Sequence, residues 1–186
     1  MTFILREANQ SNVETLAHLH VVGGRNSYEG LVDQAYLDSL TEEDFIQRWR
    51  NWLQEGVRVV LAEEKETSRI CGFCGFGPLK TPPPGSSPIR PQYSSEIYAI
   101  YVLPEFWKQG VGKKLMRHCS KALQEEGHNS MCLWVLKGNE RAGSFYEKLG
   151  GQRIGKHTIE VGPSKVIEVC YGWRDIDAMT AEKRGS

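Results

Sequence analysis

The chain has 186 residues, a length that fits one compact domain able to bury most of its apolar surface. Its composition, 40% hydrophobic and 25% charged, excludes the low-hydrophobicity regime of disordered chains. Basic and acidic residues balance at 23 each, so the chain lacks the positive field with which proteins bind a nucleic-acid backbone.

Targeting signals and metal motifs are absent from the sequence. No run is long and apolar enough for a membrane helix, and the first ten residues lack the pattern of a secretion signal. We therefore expect a soluble cytoplasmic protein that binds neither nucleic acid nor membrane. The histidines are scattered and the five cysteines lie in apolar segments, which favours reduced core cysteines and no metal site. The C-x-x-C formed by Cys71 and Cys74 lacks a second pair, so we interpret it as structural.

The first elements are a strand and two helices. Residues 3–6 predict the strand, and an apolar stripe that starts at Val13 predicts the first helix. We expect Gly23 and Gly24 to end that helix. The second helix begins behind a capping sequence at residues 41–44 and ends at Gly56.

A hairpin and a long connection follow. β-rich runs at residues 57–63 and 70–79 predict the hairpin. Residues 81–91 hold five prolines in eleven residues, which predicts an extended connection inside the domain. Such a loop is often functional, and a tolerated insertion is the alternative.

Residues 93–103 form the strongest predicted strand. Strict alternation places Glu96 and Val102 on one face and Tyr101 on the other. Because both faces are largely apolar, we expect this strand to lie in the centre of the sheet.

The rest of the chain continues the alternation of helix and strand. Helices are predicted up to Glu126 and from the cap Asn139 to Leu149, with strands at residues 131–136, 152–160 and 165–173. The order β-α-α-β-β-β-α-β-α-β-β predicts one α/β domain over residues 1–186, in which helices cover both faces of a mixed sheet.

Gly110 and Gly112 lie between the central strand and a helix, where backbone N–H groups and the helix dipole can hold a phosphate. A simple tight turn is the alternative. The phosphate-loop motif of NTPases does not match, because Trp107 stands where that motif requires Gly and Lys114 stands where it requires Ser or Thr. The dinucleotide fingerprint fails because Leu115 replaces its third Gly.

Two longer segments carry a more specific pattern. Residues 102–115 have the sequence VLPEFWKQGVGKKL, and residues 139–150 have the sequence NERAGSFYEKLG. Together they resemble the GNAT superfamily of acetyl-coenzyme A (acetyl-CoA) dependent N-acetyltransferases. The first resembles its motif Q/R-x-x-G-x-G/A after a strand ending in V-x-P, and the second resembles its motif N-x-x-A-x-x-F/Y-Y-x-x-x-G.

The resemblance implies acetyl-CoA as cosubstrate and a backbone-lined site for it. The central strand would pair with the pantetheine arm where it separates from its neighbour, and the glycine loop would bind the pyrophosphate. Trp107 stands where the family has Gln or Arg, so Lys108 or Lys113 could supply the charge. The implied binding residues are Ile100, Tyr101, Val102, Trp107, Lys108, Gln109, Gly110, Val111, Gly112, Lys113 and Asn139.

Acetyl transfer to an amine needs a base, donors to the thioester oxygen and an acid for the thiolate. Tyr146 is the candidate acid, with a role as a core aromatic as the alternative. Glu96 is the candidate base, directly or through water, and a structural ion pair with Arg or His is the alternative. The N–H of Val102 or Leu103 could polarise the carbonyl.

The acceptor site has weaker signals. Tyr28 and Glu29 lie where this family builds its acceptor wall, and a Tyr beside a carboxylate suits a cationic amine, although a solvated loop is the alternative. Trp49 and Trp52 favour core packing over a substrate cage.

The sequence therefore predicts an N-acetyltransferase that acts on a small-molecule primary amine by direct attack in a ternary complex. A non-catalytic acyl-CoA-binding or sensing module is one alternative. A protein N-terminal acetyltransferase is another, although the branch that acetylates ribosomal proteins has a glutamate where this chain has Trp134. A homodimer stays open.

Overall fold

Seven strands form one mixed sheet within residues 2–85 and 92–180, which the computed structural model describes. The spatial order is β1-β2-β3-β4-β5-β7-β6, and the β4–β5 pair is parallel whereas the other pairs are antiparallel. The predicted α/β class with a central residue 93–103 strand is confirmed. The strands are β1 (Phe3–Glu7), β2 (Arg58–Glu64), β3 (Arg69–Pro78), β4 (Ser95–Val102), β5 (Met131–Leu136), β6 (Gln152–Val161) and β7 (Ser164–Trp173).

Helices cover both faces of this sheet. They are α1 (Val13–Tyr28), α2 (Gln34–Ser39), α3 (Glu42–Gln54), α4 (Val111–Glu125), α5 (Glu140–Lys148) and α6 (Asp177–Thr180). Phe73 and Cys74 are neighbours in β3 and therefore point to opposite faces. The Phe73 ring packs on Trp49 of α3 with centroids 5.1 Å apart, and the Cys74 thiol contacts Cys119 of α4. The sequence did not predict the short helices α2 and α6.

Gly23 and Gly24 lie inside α1 and do not end it. A Cβ built on Gly23 would lie 2.4 Å from Cγ of Tyr101, so glycine is required where α1 crosses β4. The helix continues to Tyr28 because the packing of buried residues such as Leu16 offsets the roughly 1 kcal/mol that each glycine costs a helix.

A β-bulge in β4 changes which side chains share a face. Ile97 and Ala99 pair with consecutive residues of β3, so Tyr98 is an extra residue in β4. Glu96 consequently lies on the same face as Ala99, towards α1 and α3, and Val102 lies on the opposite face. The prediction that Glu96 shares a face with Val102 is wrong, because the alternation was counted through the extra residue.

The remaining sequence predictions concern cysteines, membranes and the proline-rich connection. All five cysteines are free and buried, which confirms that they are core residues. None of the described helices is long and apolar enough to cross a membrane. Residues 86–91 of the predicted connection at 81–91 lie outside the described residues.

Candidate active site

The parallel strands β4 and β5 separate soon after they pair. Ser95 and Glu96 pair with Met131 and Cys132, and no pairing follows along the rest of the two described strands. A cavity of about 650 Å³ opens in this gap. Residues of α1, β4, β5, α5, β7 and the start of α4 line it, so most of the predicted site residues come together here.

Backbone groups of β4 point into the cavity at alternate residues. The N–H of Leu103 donates to the carbonyl oxygen of Cys71 in β3 at 2.9 Å. Because an antiparallel strand bonds to its partner at every second residue, Tyr101 also bonds to β3, and Ile100 and Val102 turn their N–H groups towards the gap. The Leu103 N–H, proposed from the sequence as a donor to a thioester oxygen, is therefore already used.

The start of α4 offers backbone N–H groups to an anion. Gly110 precedes the helix with a φ of 85°, a left-handed conformation that favours glycine. The first α-helical bond of this turn runs from the N–H of Lys114 to the carbonyl oxygen of Gly110, so the preceding N–H groups have no partner within the helix. Gly110, Val111, Gly112 and Lys113 all line the cavity, and the helix dipole favours a negative charge there.

Gly112 has a second reason to be glycine. A Cβ at this position would lie 3.1 Å from Cζ of Phe145, tighter than ordinary carbon contacts. The absent side chain therefore allows α5 to pack closely on the first turn of α4, in addition to any approach of the backbone to an anion.

Trp107 forms a cationic surface together with Arg141, a residue that the sequence analysis missed. The indole N–H of Trp107 donates to the Val102 carbonyl oxygen at 2.6 Å, and the Arg141 guanidinium carbon lies 3.2 Å from the ring centroid. Both side chains line the cavity, and burial lowers the pKa of Arg141. The chain thus brings a cation from α5 to the position where the family motif carries Gln or Arg.

The other predicted polar residues of the cofactor site divide into two groups. Lys108 and Lys113 line the cavity, as does Asn139, whose Oδ1 caps α5 by accepting the Ala142 N–H at 3.1 Å. Gln109 does not line it, and its amide donates to the Glu105 carbonyl oxygen at 2.8 Å.

Tyr146 reaches the cavity from α5. The residue is 6% exposed, and its hydroxyl forms no hydrogen bond within residues 2–85 and 92–180. Burial raises its pKa far above the usual range, so the hydroxyl is protonated at neutral pH and can donate. Its ring also packs edge-on against Trp173 with centroids 6.2 Å apart. Tyr146 therefore contributes to the core through its ring and still has a hydroxyl without a partner among the described residues.

Glu96 also lines the cavity and is 5% exposed. Its Oε2 accepts the backbone N–H groups of Lys80 and Thr81 at 2.9 and 2.7 Å. Burial raises its pKa, against the opposing effects of these two hydrogen bonds and the Lys80 charge, and the negative charge of Glu168 adds to the rise. No ion pair to Arg or His holds this carboxylate among the described residues, unlike the alternative that the sequence left open.

Tyr28 lies on the wall of the cavity, whereas Glu29 does not. The Tyr28 hydroxyl is 3.3 Å from that of Tyr101, and burial raises the pKa of both. Glu29 is exposed just beyond the end of α1 and is not a lining residue. Trp49 and Trp52 do not line the cavity either, and Trp49 is buried in the core as predicted.

Glu168 of β7 and Trp134 of β5 complete this wall, and the sequence analysis assigned neither to the site. No local motif surrounds Glu168, so only the sheet order reveals it. Within the described part of the chain, no group of three or more His, Cys, Asp or Glu side chains is arranged to hold a metal ion.

Comparisons with known proteins identify the family of this chain. A family model described as the acetyltransferase (GNAT) family matches residues 25–151. The chain is 30% identical to the uncharacterised N-acetyltransferase YuaI of Bacillus subtilis, over 94% of this chain and 95% of that protein.

Solved structures share the fold. The PaiA N-acetyltransferase of Thermoplasma acidophilum in complex with coenzyme A superposes with a TM-score of 0.65 at 19% identity, covering 91% of this chain and 98% of that one. A ribosomal-protein-alanine N-acetyltransferase of Brucella melitensis gives a TM-score of 0.68 at 16% identity, with the same coverages of 91% and 98%.

Proposed function

The chain belongs to the acetyltransferase (GNAT) family, and we propose that it transfers the acetyl group of acetyl-CoA to a small-molecule primary amine by direct attack in a ternary complex. One observation carries the proposal. A single cavity joins the anion-binding start of α4, the inward N–H groups of β4, the hydroxyl of Tyr146 and the carboxylate of Glu96.

The cavity fits the cosubstrate at one end in particular. Lys108, Lys113 and Arg141 line it near the start of α4, where N–H groups without helical partners also lie. This set suits the phosphates of acetyl-CoA. When bound, acetyl-CoA supplies a thioester whose carbonyl carbon the amine attacks.

The residues of the chain then transfer protons and stabilise the charge that develops during the reaction. Glu96 accepts the proton of the attacking amine, directly or through water, and its raised pKa makes it a stronger base than an ordinary carboxylate. The N–H of Val102, which turns towards the gap, donates to the carbonyl oxygen as it gains charge. Tyr146 donates its proton to sulfur as the carbon–sulfur bond breaks, so the products are the acetylated amine and coenzyme A.

An acyl-cysteine route has no support in this chain. All five cysteines are buried. Burial raises the pKa of Cys71 to about 11, and it also raises that of Cys119. A protonated thiol is a poor nucleophile, so direct attack by the amine is the simpler chemistry.

The test is release of the coenzyme A thiol from acetyl-CoA in the presence of a panel of primary amines. We expect release above background with at least one amine and formation of an equal amount of acetylated amine by mass spectrometry. Binding of acetyl-CoA without transfer to any amine would favour the sensing module, and failure to bind acetyl-CoA would refute the proposal.

A further inference from the structure

We propose that the acceptor is a linear diamine or polyamine, and that Glu168 binds its second, non-reacting ammonium group. This inference rests on the proposed function and names the substrate class of the same site. It starts from a division of charge along the cavity. Among the described residues, the lining cations are Lys108, Lys113, Arg141 and Lys148, on the loop before α4 and on α4 and α5, whereas the lining carboxylates are Glu96 and Glu168, on β4 and β7. An anionic cosubstrate and a cationic acceptor would each meet the opposite charge.

Glu168 has one carboxylate oxygen available to a ligand. Its side chain is 19% exposed, and Oε2 lies 2.9 Å from Nε2 of His157, the residue directly opposite it on β6. Oε1 forms no hydrogen bond within the described ranges of the chain. The histidine therefore holds one oxygen of the carboxylate and, within the described part of the chain, leaves the other without a partner in a residue that lines the cavity.

Trp134 connects this carboxylate to the rest of the wall. The His157 ring stacks on the Trp134 indole with centroids 3.8 Å apart and planes inclined by 4°. The indole N–H donates to the Thr81 carbonyl oxygen at 3.0 Å, next to the backbone that holds Glu96. Since Trp134 also lines the cavity, its flat surface can pack against an alkyl chain or an ammonium group.

The two carboxylates lie at different levels of the same sheet face. Glu96 is opposite Cys132 and Glu168 is opposite Leu136, and these two residues of β5 share a face with Trp134 between them. Four residues along a strand span about 13 Å. This is the separation of the backbone positions, and the two carboxylates are near enough for the charge of Glu168 to contribute to the raised pKa of Glu96. An elongated amine can present its reacting nitrogen within reach of Glu96 and hold its other nitrogen at Glu168.

The test compares two amines of equal length that differ in one charge, 1,8-diaminooctane and n-octylamine. We expect E168Q to raise KM for the diamine about 10- to 100-fold, the range of a lost hydrogen bond to a charged group, with KM for octylamine within about twofold and kcat little changed. E168D should restore part of the diamine preference. E29Q is the matched control, because Glu29 is exposed outside the cavity, and it should alter neither KM.

The outcomes separate this inference from the proposed function. An equal change, or no change, in KM for both amines would refute the role of Glu168 while acetyl transfer stands. If neither amine is acetylated, calorimetric titration of 1,8-diaminooctane into the protein with coenzyme A decides: binding that E168Q abolishes supports the inference, and no binding by the natural protein overturns it. Unfolding curves establish that E168Q is folded, and E168D replaces it in the comparison if it is not.

Discussion

The adjacent glycines of α1 should respond in opposite directions to the same substitution. In an exposed or unhindered helical position, Gly→Ala stabilises by about 1 kcal/mol, because alanine loses less backbone entropy on folding. A Cβ on Gly24 meets no atom within 4 Å, so Gly24→Ala should gain this amount. A Cβ on Gly23 would lie 2.4, 2.5 and 2.6 Å from three atoms of Tyr101.

The cost at Gly23 follows from that contact. Favourable carbon contacts lie near 3.5–4.0 Å, so either the Tyr101 ring or α1 must move by about 1 Å. Overpacking of this kind costs about 1–3 kcal/mol. We take the upper end because three atoms of the Tyr101 side chain are too close. Subtraction of the helical gain of about 1 kcal/mol leaves Gly23→Ala destabilised by about 2 kcal/mol.

Thermal unfolding measures both changes. For a chain of this size 1 kcal/mol corresponds to about 2–4 °C in Tm, so Gly24→Ala should raise Tm by about 2–4 °C and Gly23→Ala should lower it by about 4–8 °C. Because Tyr101 lines the cavity, Gly23→Ala should also raise KM for the amine. Equal stabilisation by both substitutions would show that Gly23 of α1 does not lie in close contact with Tyr101 of β4.

Three predictions concern the chemistry. Tyr146→Phe should slow turnover by about 10²–10⁴-fold, while its affinity for acetyl-CoA, measured by calorimetry, should stay nearly unchanged. An unchanged rate would show that Tyr146 is not the general acid. Because burial raises the pKa of Glu96 above its usual 4.5, kcat/KM of the natural protein should fall as the pH drops through that raised value. At neutral pH, Glu96→Gln should have a lower kcat/KM than the natural protein, and its kcat/KM should not show the fall that protonation of Glu96 causes. The difference in kcat/KM between the two proteins should narrow at high pH, where the amine deprotonates unaided. A pH profile of the variant parallel to that of the natural protein would contradict the assignment of Glu96 as the base. Arg141→Ala should weaken acetyl-CoA binding about tenfold or more. Lys137→Ala is the control, because Lys137 is exposed outside the cavity, and it should leave the affinity unchanged. Equal affinities of the Arg141→Ala variant and the natural protein for acetyl-CoA would show that the Arg141 cation beside Trp107 does not bind the cosubstrate.

The order of strands and helices could be predicted because it depends on local signals. Apolar periodicity and capping residues act within one or two turns, so the helix behind Thr41 and the helix capped by Asn139 are both present. The glycine loop before α4 was recognisable for the same reason, since the left-handed conformation of Gly110 is a property of a single residue.

The features that could not be predicted from the sequence depend on contacts between distant segments of the chain. The role of Gly23 comes from Tyr101 on another element, and the bulge at Tyr98 exists only in the register of β4 against β3. Glu168 reaches the site because β7 lies beside β5 in the sheet, an arrangement that no local pattern around the residue encodes. Arg141 matters because its guanidinium meets the Trp107 ring.

Amide hydrogen exchange along β4, with and without saturating acetyl-CoA, tests the central claim most directly. The N–H groups of Ile100 and Val102 face the cavity, whereas those of Tyr101 and Leu103 are held by β3. If acetyl-CoA binds in the gap between β4 and β5, exchange at Ile100 and Val102 should slow while exchange at Tyr101 and Leu103 stays as it was. Binding of acetyl-CoA that leaves exchange at Ile100 and Val102 unchanged would contradict the account.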